Sequence, residues 1–534
     1  MRSLVYAGAK PSLRAVAGFA CNQGFAFSLF YMGANRAFGV VPVAFERADL
    51  FGTLLFMILA FALFRIASPK ARSALLTPLL LWCYAALLVV ASLVPLLPGT
   101  LAAGDIILES VFIGLPSGLM LVAWGRILGG RAIAHSVPEV FLGSALGATV
   151  CFAFAAIPLD VAPLVLKLLP LGSAWALCAL TRNKREGSKH RYGGGGATIP
   201  SVVVRAMSED TIKGGEEVVV TQLETQPLSL RVLLSTSEER EETARLSMKM
   251  AAGTVLFGLA AGFMETYGSD PGMASTPTIP ATLLLFVVFC VAALQLLTAA
   301  RLGSDSSGNS VLLAATEAPQ GEQEGPLDDV YRLAILVMMA GFLFVPVLGE
   351  FGVPGEAIVL AGYLGLSAVL VSLFLVMAYI TGQDAAQSFA RGFTALFAGE
   401  VSGIALGNAI DAFAGFGETP YVVVACAGLA ALFAYLFLFT ERDFRALSVI
   451  ARDADRFEDA CVLITSRFGL SKREAEILPF ALKGRTGERI ASEFFISKST
   501  VDTHLRRTYA KCGVHGRQEL IDLGESIVRQ LDGS

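Results

Sequence analysis

About twelve apolar runs, each close to 20 residues long, fill most of this chain and leave a more polar C-terminal stretch. A helix needs about 20 apolar residues to cross the hydrocarbon core of a bilayer. The chain is 54% hydrophobic and 16% charged, with a mean hydropathy of +0.64, which is too apolar for a water-soluble protein of 534 residues. We therefore predict an all-α, polytopic bundle embedded in a lipid bilayer. Its spans are expected near residues 14–34, 46–64, 75–96, 105–125, 136–157, 160–180, 248–268, 279–300, 332–350, 356–380, 391–412 and 419–440.

Basic residues mark one side of this predicted bundle. Lys and Arg accumulate in short cytoplasmic loops, and here they fall in alternate loops, with Arg36, Arg47 and Lys167 as exceptions. The pattern predicts a multi-pass protein of the cytoplasmic (inner) membrane with both termini in the cytoplasm. The first run lacks a cleavage site and is expected to be an uncleaved helix. The basic groups on the cytoplasmic side are Arg2, Lys10 and Arg14; Arg65, Lys70 and Arg72; Arg126 and Arg131; Arg182, Lys184, Arg185, Lys189 and Arg191; Arg301; Arg391; and Arg442 and Arg445.

A polar segment of about 65 residues separates the sixth and seventh runs. It begins basic, passes through four glycines at 193–196 and then turns acidic, with few apolar residues and no sustained period. Such a composition predicts a flexible cytoplasmic linker. The expected organisation is transmembrane half 1, linker, transmembrane half 2, connecting helix or linker, and C-terminal domain. These parts are assigned to residues 1–181, 182–247, 248–440, 441–465 and 466–534.

The arrangement of six plus six spans around a long cytoplasmic loop resembles the major facilitator fold of secondary transporters. That family's short motif between its second and third helices, a Gly with Asp and a Gly-Arg pair, is absent from residues 65–76. The resemblance is therefore one of topology.

The C-terminal stretch Leu470 to Val514 carries a motif in three parts. LSKREAEIL is followed by GRTGERIASEFFISKSTVDTHL and then by KCGV. These segments resemble, in register and without a gap, the LuxR-type helix-turn-helix pattern L-T-x-R-E-x-E-V-L, G-x-S-x-x-x-I-A-x-x-L-x-I-S-x-x-T-V-K-x-H-L and K-L-G-V-x-x-R. The resemblance implies a small four-helix domain that binds double-stranded DNA. From residue 466 onward twelve Lys or Arg face nine Asp or Glu, although the chain has a net charge of −4, so the basic character is local.

Residue types at the helix ends of this domain agree with the resemblance. Ser471 and Glu474 form an S-x-x-E capping box, and Gly484 is expected to end that helix. Thr486 can cap a second helix, and Ser497 a third helix that would enter the major groove. The expected result is two short helices joined by a tight turn.

The expected DNA contacts follow only from matching the family's motif. Residues corresponding to those that reach base edges are Asp502, Thr503 and Arg506. Residues placed to meet phosphates are Lys498, Ser499, Thr500, Arg507 and Lys511.

Two of these positions leave alternatives open. Arg506 can pair bidentately with guanine, although Arg506 and Arg507 could instead form a solvated charged face. Asp502 departs from the family, which usually has Lys there; a carboxylate repels phosphate but can accept a hydrogen bond from a cytosine amino group. His504 is interpreted as a partly packed structural residue.

A final segment from about Gly516 places Leu520, Leu523 and Ile527 on one stripe. In the LuxR-type family the fourth helix dimerises. The resemblance therefore implies a homodimer through this segment.

Glu400 lies near the middle of the eleventh run, where an ionisable group is costly. Glycines at 399, 403 and 407 form a small-residue stripe beside it that would allow close helix contact, and Asn408 lies two turns on. One interpretation is a packing seam in which a neighbouring helix satisfies the carboxylate. The other is a ligand or proton site comprising Glu400 and Asn408, with Asn22 and Gln23 of the first run lining the same cavity.

No catalytic or metal-binding pattern is found in the sequence. The four His are isolated, the eight Cys occur singly without a CxxC pair, and no GxxxxGK[ST] phosphate loop is present. We therefore expect no enzyme activity, no metal and no cofactor.

The favoured hypothesis is a membrane-anchored, one-component transcriptional regulator of LuxR type. Its bundle would sense an unknown small-molecule or membrane signal, and its C-terminal domain would bind DNA. Two alternatives are a secondary transporter with a regulatory DNA-binding tail, and a constitutive membrane tether for DNA with an inert bundle.

Overall fold

The structure is a computed structural model, and it divides the chain into two compact units. The first, called the membrane unit, comprises Met1–Glu186, Glu241–Tyr379 and Asp384–Ser448. The second comprises Gly187–Arg240, Ile380–Gln383 and Val449–Ser534; its described part from residue 457 onward is called the tail domain. The structure describes residues 11–30, 38–40, 43–91, 102–129, 133–155, 168–191, 237–266, 278–306, 326–348, 355–381, 384–414, 428, 457, 460–482, 484, 486–494 and 497–532.

Helices make up nearly all of the described chain, as the apolar runs predict. The first half contains α1 (Leu13–Phe30), α2 (Ala48–Ile66), α3 (Pro69–Leu75), α4 (Pro78–Ala91), α5 (Ala102–Leu128), α6 (Ile133–Ala155) and α7 (Leu169–Arg191). The second half contains α8 (Ser237–Thr266), α9 (Thr278–Ser306), α10 (Pro326–Leu348), α11 (Gly355–Thr381) and α12 (Ala385–Ala414). The tail domain contains α13 (Lys472–Leu482), α14 (Gly487–Phe494), α15 (Lys498–Cys512) and α16 (Arg517–Asp532).

Seven of the described helices are long and apolar enough to cross a membrane by length and composition. They lie at Ala48–Ile66, Gly104–Leu128, His135–Ala153, Ala244–Phe263, Pro280–Thr298, Ala357–Ala378 and Ala385–Ile410, and shorter apolar helices lie at Pro78–Ala91 and Val330–Leu343. Each predicted run from 14–34 to 391–412 overlaps a helix, while the run 419–440 lies outside the described residues except Gly428. The prediction of an all-α, polytopic membrane protein is confirmed.

Burial within the membrane unit separates central helices from peripheral ones. The apolar span of α11 is 89% buried inside the protein, whereas the spans of α2 and α9 are 39% buried. The outward side chains of α2 and α9 include exposed leucines and valines such as Leu59, Leu63 and Val288. Apolar residues exposed along a whole helix are typical of a surface that faces lipid.

The two halves contact each other directly. Within the first half α1 packs against α6 and α2 packs against α5. Helix α9 also packs against α6, and α12 packs against both α2 and α5. Helices of both halves therefore surround the interior of the membrane unit.

A short antiparallel hairpin precedes α2 and was not predicted from the sequence. Strands β1 (Phe38–Val40) and β2 (Val43–Phe45) pair Phe38 with Phe45 and Val40 with Val43. Arg47 then adopts a left-handed backbone conformation with φ of 56° immediately before α2. Valine and phenylalanine favour extended structure, but three residues a strand are too few for a clear alternating pattern.

The helices extend into both ends of the segment predicted as a flexible linker. Helix α7 continues to Arg191, and α8 begins at Ser237. Residues 192–236, including the four glycines, lie outside the described residues.

The tail domain has its own apolar core. Residues 460–467 are helical, and Ala460, Cys461 and Ile464 are buried together with side chains of α13 to α16. Phe457 also packs against this core. The predicted domain boundary at residue 466 therefore falls inside a helix of the domain. The sequence did not reveal this helix because so short an amphipathic segment resembles the connecting segment before it.

Candidate DNA-binding surface and membrane cavity

The first tail helix begins with the predicted capping box. The backbone N–H of Ser471 donates to Glu474 Oε2 at 2.7 Å, and the N–H of Glu474 lies 3.5 Å from Ser471 Oγ. Gly484 has φ of 69° and follows the end of α13, as the sequence predicts. Glycine adopts this left-handed conformation without a steric penalty.

The helix predicted to enter the major groove is α15. Ser497 precedes it in an extended conformation, and its side chain accepts a hydrogen bond from the N–H of Thr500 at 3.2 Å. Gly513 follows the helix with φ of 70°, and its N–H bonds to the carbonyl oxygen of Tyr509. Both ends of α15 are therefore fixed by local chemistry that the sequence displays.

One face of α15 is buried and the other is exposed. Val501, Leu505 and Thr508 lie in the domain interior. The exposed side chains are Lys498, Ser499, Thr500, Asp502, Thr503, Arg506, Arg507 and Lys511. All residues predicted to contact DNA therefore share the solvent side of one helix.

Both lysines on this face form ion pairs within the domain. Lys498 Nζ lies 2.8 Å from Glu488 Oε1 on α14, and both side chains are exposed. This hydrogen bond lowers the pKa of Glu488 and raises the pKa of Lys498. Lys498 is thus in place at the surface with a partner that a phosphate would have to replace.

Lys511 has a more buried partner. Its Nζ lies 2.7 Å from Glu474 Oε2 and 3.1 Å from the carbonyl oxygen of Gly469. Burial raises the pKa of Glu474, but hydrogen bonds from Lys511 and Ser471 outweigh it, so the pKa is below its ordinary value. The Glu474 side chain is only 3% exposed, against 39% for Lys511. Lys511 therefore ties the end of α15 to the start of α13.

Asp502, where the family usually has Lys, lies beside the start of α14. A Cβ added to Gly487 would lie 3.2 Å from Asp502 Oδ1. The N-terminus of a helix carries partial positive charge, which favours a nearby carboxylate. His504, predicted to be structural, is half-buried, and its Nδ1 is shielded from solvent.

The stripe predicted on the last helix faces inward. Leu520 and Ile527 are buried in the domain core, and Leu523 packs against it. Over residues 517–527 of α16, the exposed side chains are polar or charged: Gln518, Glu519, Asp522 and Glu525. Leu520, Leu523 and Ile527 therefore stabilise the domain itself.

The membrane unit contains a cavity of about 90 Å³ between its two halves. Glu400 on α12 lines it and is 3% exposed; Tyr363 of α11 donates a hydrogen bond to Glu400 Oε2 at 2.8 Å. Asn22 and Gln23 of α1 line the same cavity, as predicted from the sequence. The polar lining is completed by Ser117, Ser144 and Ser367, and the apolar lining includes Phe25, Phe27, Met57, Leu88, Phe286, Phe393 and Phe397.

Asn408 lies apart from this cavity. Its Oδ1 accepts from the backbone N–H of Glu46 at 2.6 Å, and its Nδ2 donates to the carbonyl oxygens of Glu46 and Ile404. The amide therefore joins α12 to the turn that follows the hairpin. Asn408 was grouped with Glu400 because both residues lie on the same helix. The hydrogen bonds of its side chain give Asn408 a structural role instead.

The glycine stripe beside Glu400 packs against α8. A Cβ on Gly399 or Gly403 would collide with backbone atoms of α8. The facing positions on α8 are also glycines, Gly258 and Gly262, and a Cβ on Gly262 would collide with the backbone of Glu400. The predicted close helix contact is confirmed, and the same segment provides both the packing seam and the cavity carboxylate.

The tail domain is similar to known bacterial proteins. Residues 469–523 match the family model of bacterial regulatory proteins of the luxR family. Over 60 residues the chain is 42% identical to the spore germination protein GerE of Bacillus subtilis (strain 168), covering 81% of that protein and 10% of this chain. The chain belongs to the luxR family. The prediction of a DNA-binding helix-turn-helix regulator is confirmed.

Another luxR-type relative is much longer than the shared region. The HTH-type transcriptional regulator MalT of Serratia proteamaculans (strain 568) is 31% identical over 62 residues, which are 12% of this chain and 7% of that protein. The similarity is thus confined to the DNA-binding domain, and this luxR-family chain joins that domain to a polytopic membrane unit.

Solved structures similar to about four fifths of this chain include two transporters, of which FucP is a major facilitator superfamily transporter. The human organic anion transporter MFSD10 (TETRAN) gives a TM-score of 0.44 at 12% identity, covering 81% of this chain and 98% of that one. The transporter FucP in the outward conformation gives 0.38 at 14% identity, covering 83% and 97%.

Sequence reasoning missed the partners of the residues it singled out. Ser117 at the cavity and Gly262 at the seam lie on helices remote in sequence from Glu400, and Tyr363 lies 37 residues before it on the preceding helix. Glu488 could have been found from the sequence, because it lies ten residues before Lys498, the first residue of α15, and is acidic within a basic domain. Among the residues that the structure describes, no group of three or more His, Cys, Asp or Glu is placed to hold a metal ion.

Proposed function

We propose that this protein is a one-component regulator that senses a signal through its membrane unit and controls transcription through its tail domain. The observation that carries the proposal is the combination, in one chain, of a luxR-type DNA-binding domain and a polytopic unit with a cavity lined by the carboxylate of Glu400. The protein would reside in the cytoplasmic membrane with both termini in the cytoplasm, since DNA is on that side and the basic loops agree. The two transmembrane halves would be residues 1–181 and 248–440, with residues 182–247 as their linker. Residues 441–465 would be the connection and residues 466–534 the DNA reader, which also packs against residues 460–465.

DNA binding is assigned to the exposed face of α15. Asp502, Thr503 and Arg506 would reach base edges in the major groove. Ser499, Thr500, Arg507, Lys498 and Lys511 would contact phosphates. On binding DNA, Lys498 would leave Glu488 and Lys511 would leave Glu474 to contact phosphate oxygens. The loss of these ion pairs offsets part of the favourable free energy of DNA binding that the two lysines contribute.

The tail domain supports a direct test of this assignment. Residues 455–534, which include Phe457 and the whole apolar core, should fold alone and bind duplex DNA with an affinity that falls as salt rises. Replacing Arg506 by Ala should cost about 1–3 kcal/mol at a specific site. The control is Arg467→Ala, which removes the same charge from the helical segment 460–467. Equal effects of the two substitutions would show that Arg506 contributes only net charge.

A homodimer through α16 is part of the proposal. Since Leu520, Leu523 and Ile527 are internal, the partner would meet the outward face that holds Glu519, Asp522 and Glu525. Three carboxylates on that face predict a dimer that strengthens as salt screens their repulsion. Sedimentation of the tail domain at low and high salt measures this, and a dimer that weakens with salt contradicts it.

Glu400 is the proposed signal site. Glu400→Gln should alter transcription from a target promoter without lowering the amount of membrane-inserted protein. If the substitution only lowers the amount of folded protein, Glu400 is a packing residue and the signal site lies elsewhere.

The second candidate function is a secondary transporter with a regulatory tail. It is favoured by one observation, that helices of both halves line the cavity. Concentrative uptake of a solute by sealed vesicles containing the full chain would support transport, and an effect on transcription without uptake would support the regulator.

A further inference from the structure

We infer that the cavity around Glu400 binds a small organic monocation, with an ammonium group at the carboxylate and an apolar body against phenylalanine rings. The inference rests on the proposed signal site and adds the chemical class of its ligand. It follows from the charge, the hydrogen-bonding groups, the walls and the size of the cavity.

Charge gives the first argument. Glu400 supplies a carboxylate to the cavity lining, and none of the described lining residues is Lys, Arg or His. A carboxylate removed from water is stabilised by a cation that donates hydrogen bonds to it. An anionic ligand would add a second negative charge to the same enclosed space.

Hydrogen-bonding capacity gives the second argument. Ser117 Oγ lines the cavity, is shielded from solvent and has no hydrogen-bond partner in the part of the chain that the structure describes. A shielded hydroxyl without a partner costs free energy. An ammonium is a donor and has no acceptor, so it suits a lining that offers the oxygen atoms of Glu400, Ser117 and Gln23.

The walls and the volume give the third argument. Phe393 and Phe397 line the cavity, and their ring centroids are 5.4 Å apart. Aromatic rings attract cations at their faces and bury apolar groups. The cavity of about 90 Å³ corresponds to roughly six to nine water molecules at ~10–15 Å³ each. Its size fits a small amine with one apolar or aromatic group.

The test compares three probes of similar size on the full-length protein in lipid nanodiscs. The probes are 2-phenylethylamine, which is cationic at neutral pH, the neutral 2-phenylethanol and the anionic phenylacetate. Equilibrium dialysis with labelled probes measures each Kd without DNA. We expect the amine to bind at least about tenfold more tightly than the alcohol, and phenylacetate to bind most weakly, because a charged hydrogen bond exceeds a neutral one by that order.

Two variants locate the site. Glu400→Gln should weaken amine binding by roughly ten- to a hundredfold and leave the alcohol unchanged. Glu109→Gln removes a carboxylate from α5 that does not line the cavity and should leave amine binding unchanged. Equal effects of the two substitutions would overturn the assignment to Glu400.

The comparison of probes on the unmodified protein decides the ligand class even if Glu400→Gln fails to fold. Equal binding of amine and alcohol, or binding of none of the probes, overturns the inference. Amine binding that leaves transcription unchanged supports the ligand class and contradicts the sensing role. A transcriptional response to another stimulus, without amine binding, contradicts the ligand class and supports sensing.

Discussion

The carboxylate of Glu474 allows a quantitative test of the tail domain. It accepts from the backbone N–H of Ser471 at 2.7 Å and from Lys511 Nζ at 2.7 Å, with a side chain only 3% exposed. Glu474→Gln keeps an oxygen for the capping box, which tolerates Gln, but loses the charge that faces Lys511. A hydrogen bond to a charged group contributes about 1.5–3 kcal/mol, and the exposure of Lys511 reduces this to about 1 kcal/mol.

Glu474→Ala should cost more, because it also removes the capping hydrogen bond. That loss adds about 0.5–2 kcal/mol to the ion-pair loss of about 1 kcal/mol, which gives a total of about 1.5–3 kcal/mol. In a domain of this size, 1 kcal/mol corresponds to a shift in Tm of about 4–8 °C. Thermal unfolding of residues 455–534, followed by circular dichroism at neutral pH, measures both variants. Lys511→Met is the matched variant on the other side of the ion pair and should cost about as much as Glu474→Gln.

The pH dependence provides the refuting result. Burial opposes ionisation of Glu474, but hydrogen bonds from Lys511 and Ser471 hold its pKa below the ordinary value of 4.5. A group whose pKa is lowered in the folded state stabilises the fold above the unfolded-state pKa, and this contribution is lost as the pH falls through the lowered value. The difference between the unmodified domain and Glu474→Gln should therefore shrink below about pH 4. A difference that stays constant to lower pH would refute an electrostatic role for Glu474.

Three further predictions concern other parts of the chain. Glu488→Gln removes the partner of Lys498 and one negative charge near the DNA face, so DNA affinity should rise roughly two- to fivefold at low salt; fluorescence anisotropy over a salt series measures this, and an unchanged affinity contradicts it. Gly262→Leu places a side chain against the backbone of Glu400 and should lower the yield of monodisperse protein in size-exclusion chromatography, whereas Gly104→Leu, with open space around it, should not. Reporter domains active only in the cytoplasm should give signal when inserted at Ser188, at Ser306 or at the C-terminus, and none at Gly99, Ser269 or Gly417; a C-terminal reporter outside the cell would contradict the proposed orientation.

The tail domain was the part most open to prediction because its signals are local. The capping box at Ser471 and Glu474, the helix stop at Gly484 and the cap at Ser497 each depend on residues within one turn. Such interactions form wherever the side chain and the free backbone groups are close in sequence. The domain's beginning was less clear, since Ala460 and Ile464 join the core through contacts with residues far along the chain.

In the membrane unit, by contrast, the contacts that define the structure join residues far apart in sequence. Hydropathy predicted where helices lie, because each span must be apolar over its length. The sequence did not predict which helices pack together. The stripe of Gly399 and Gly403 predicts close contact with some helix, but only the structure shows that this helix is α8, where Gly262 faces the stripe. Asn408 illustrates the limit, since its place on α12 gives a face of the helix but not the hairpin turn that its amide binds.

The position of the cavity also determines how a ligand could act. A ligand shifts an equilibrium between two protein states only by its difference in affinity for them. A site within one half would be nearly the same in any arrangement of the two halves, so its occupancy would change their balance little. The cavity of Glu400 is lined by α1, α5 and α6 of the first half and by α9, α11 and α12 of the second. Its shape therefore depends on how the halves are arranged, and a tenfold preference for one arrangement would shift the balance by about 1.4 kcal/mol.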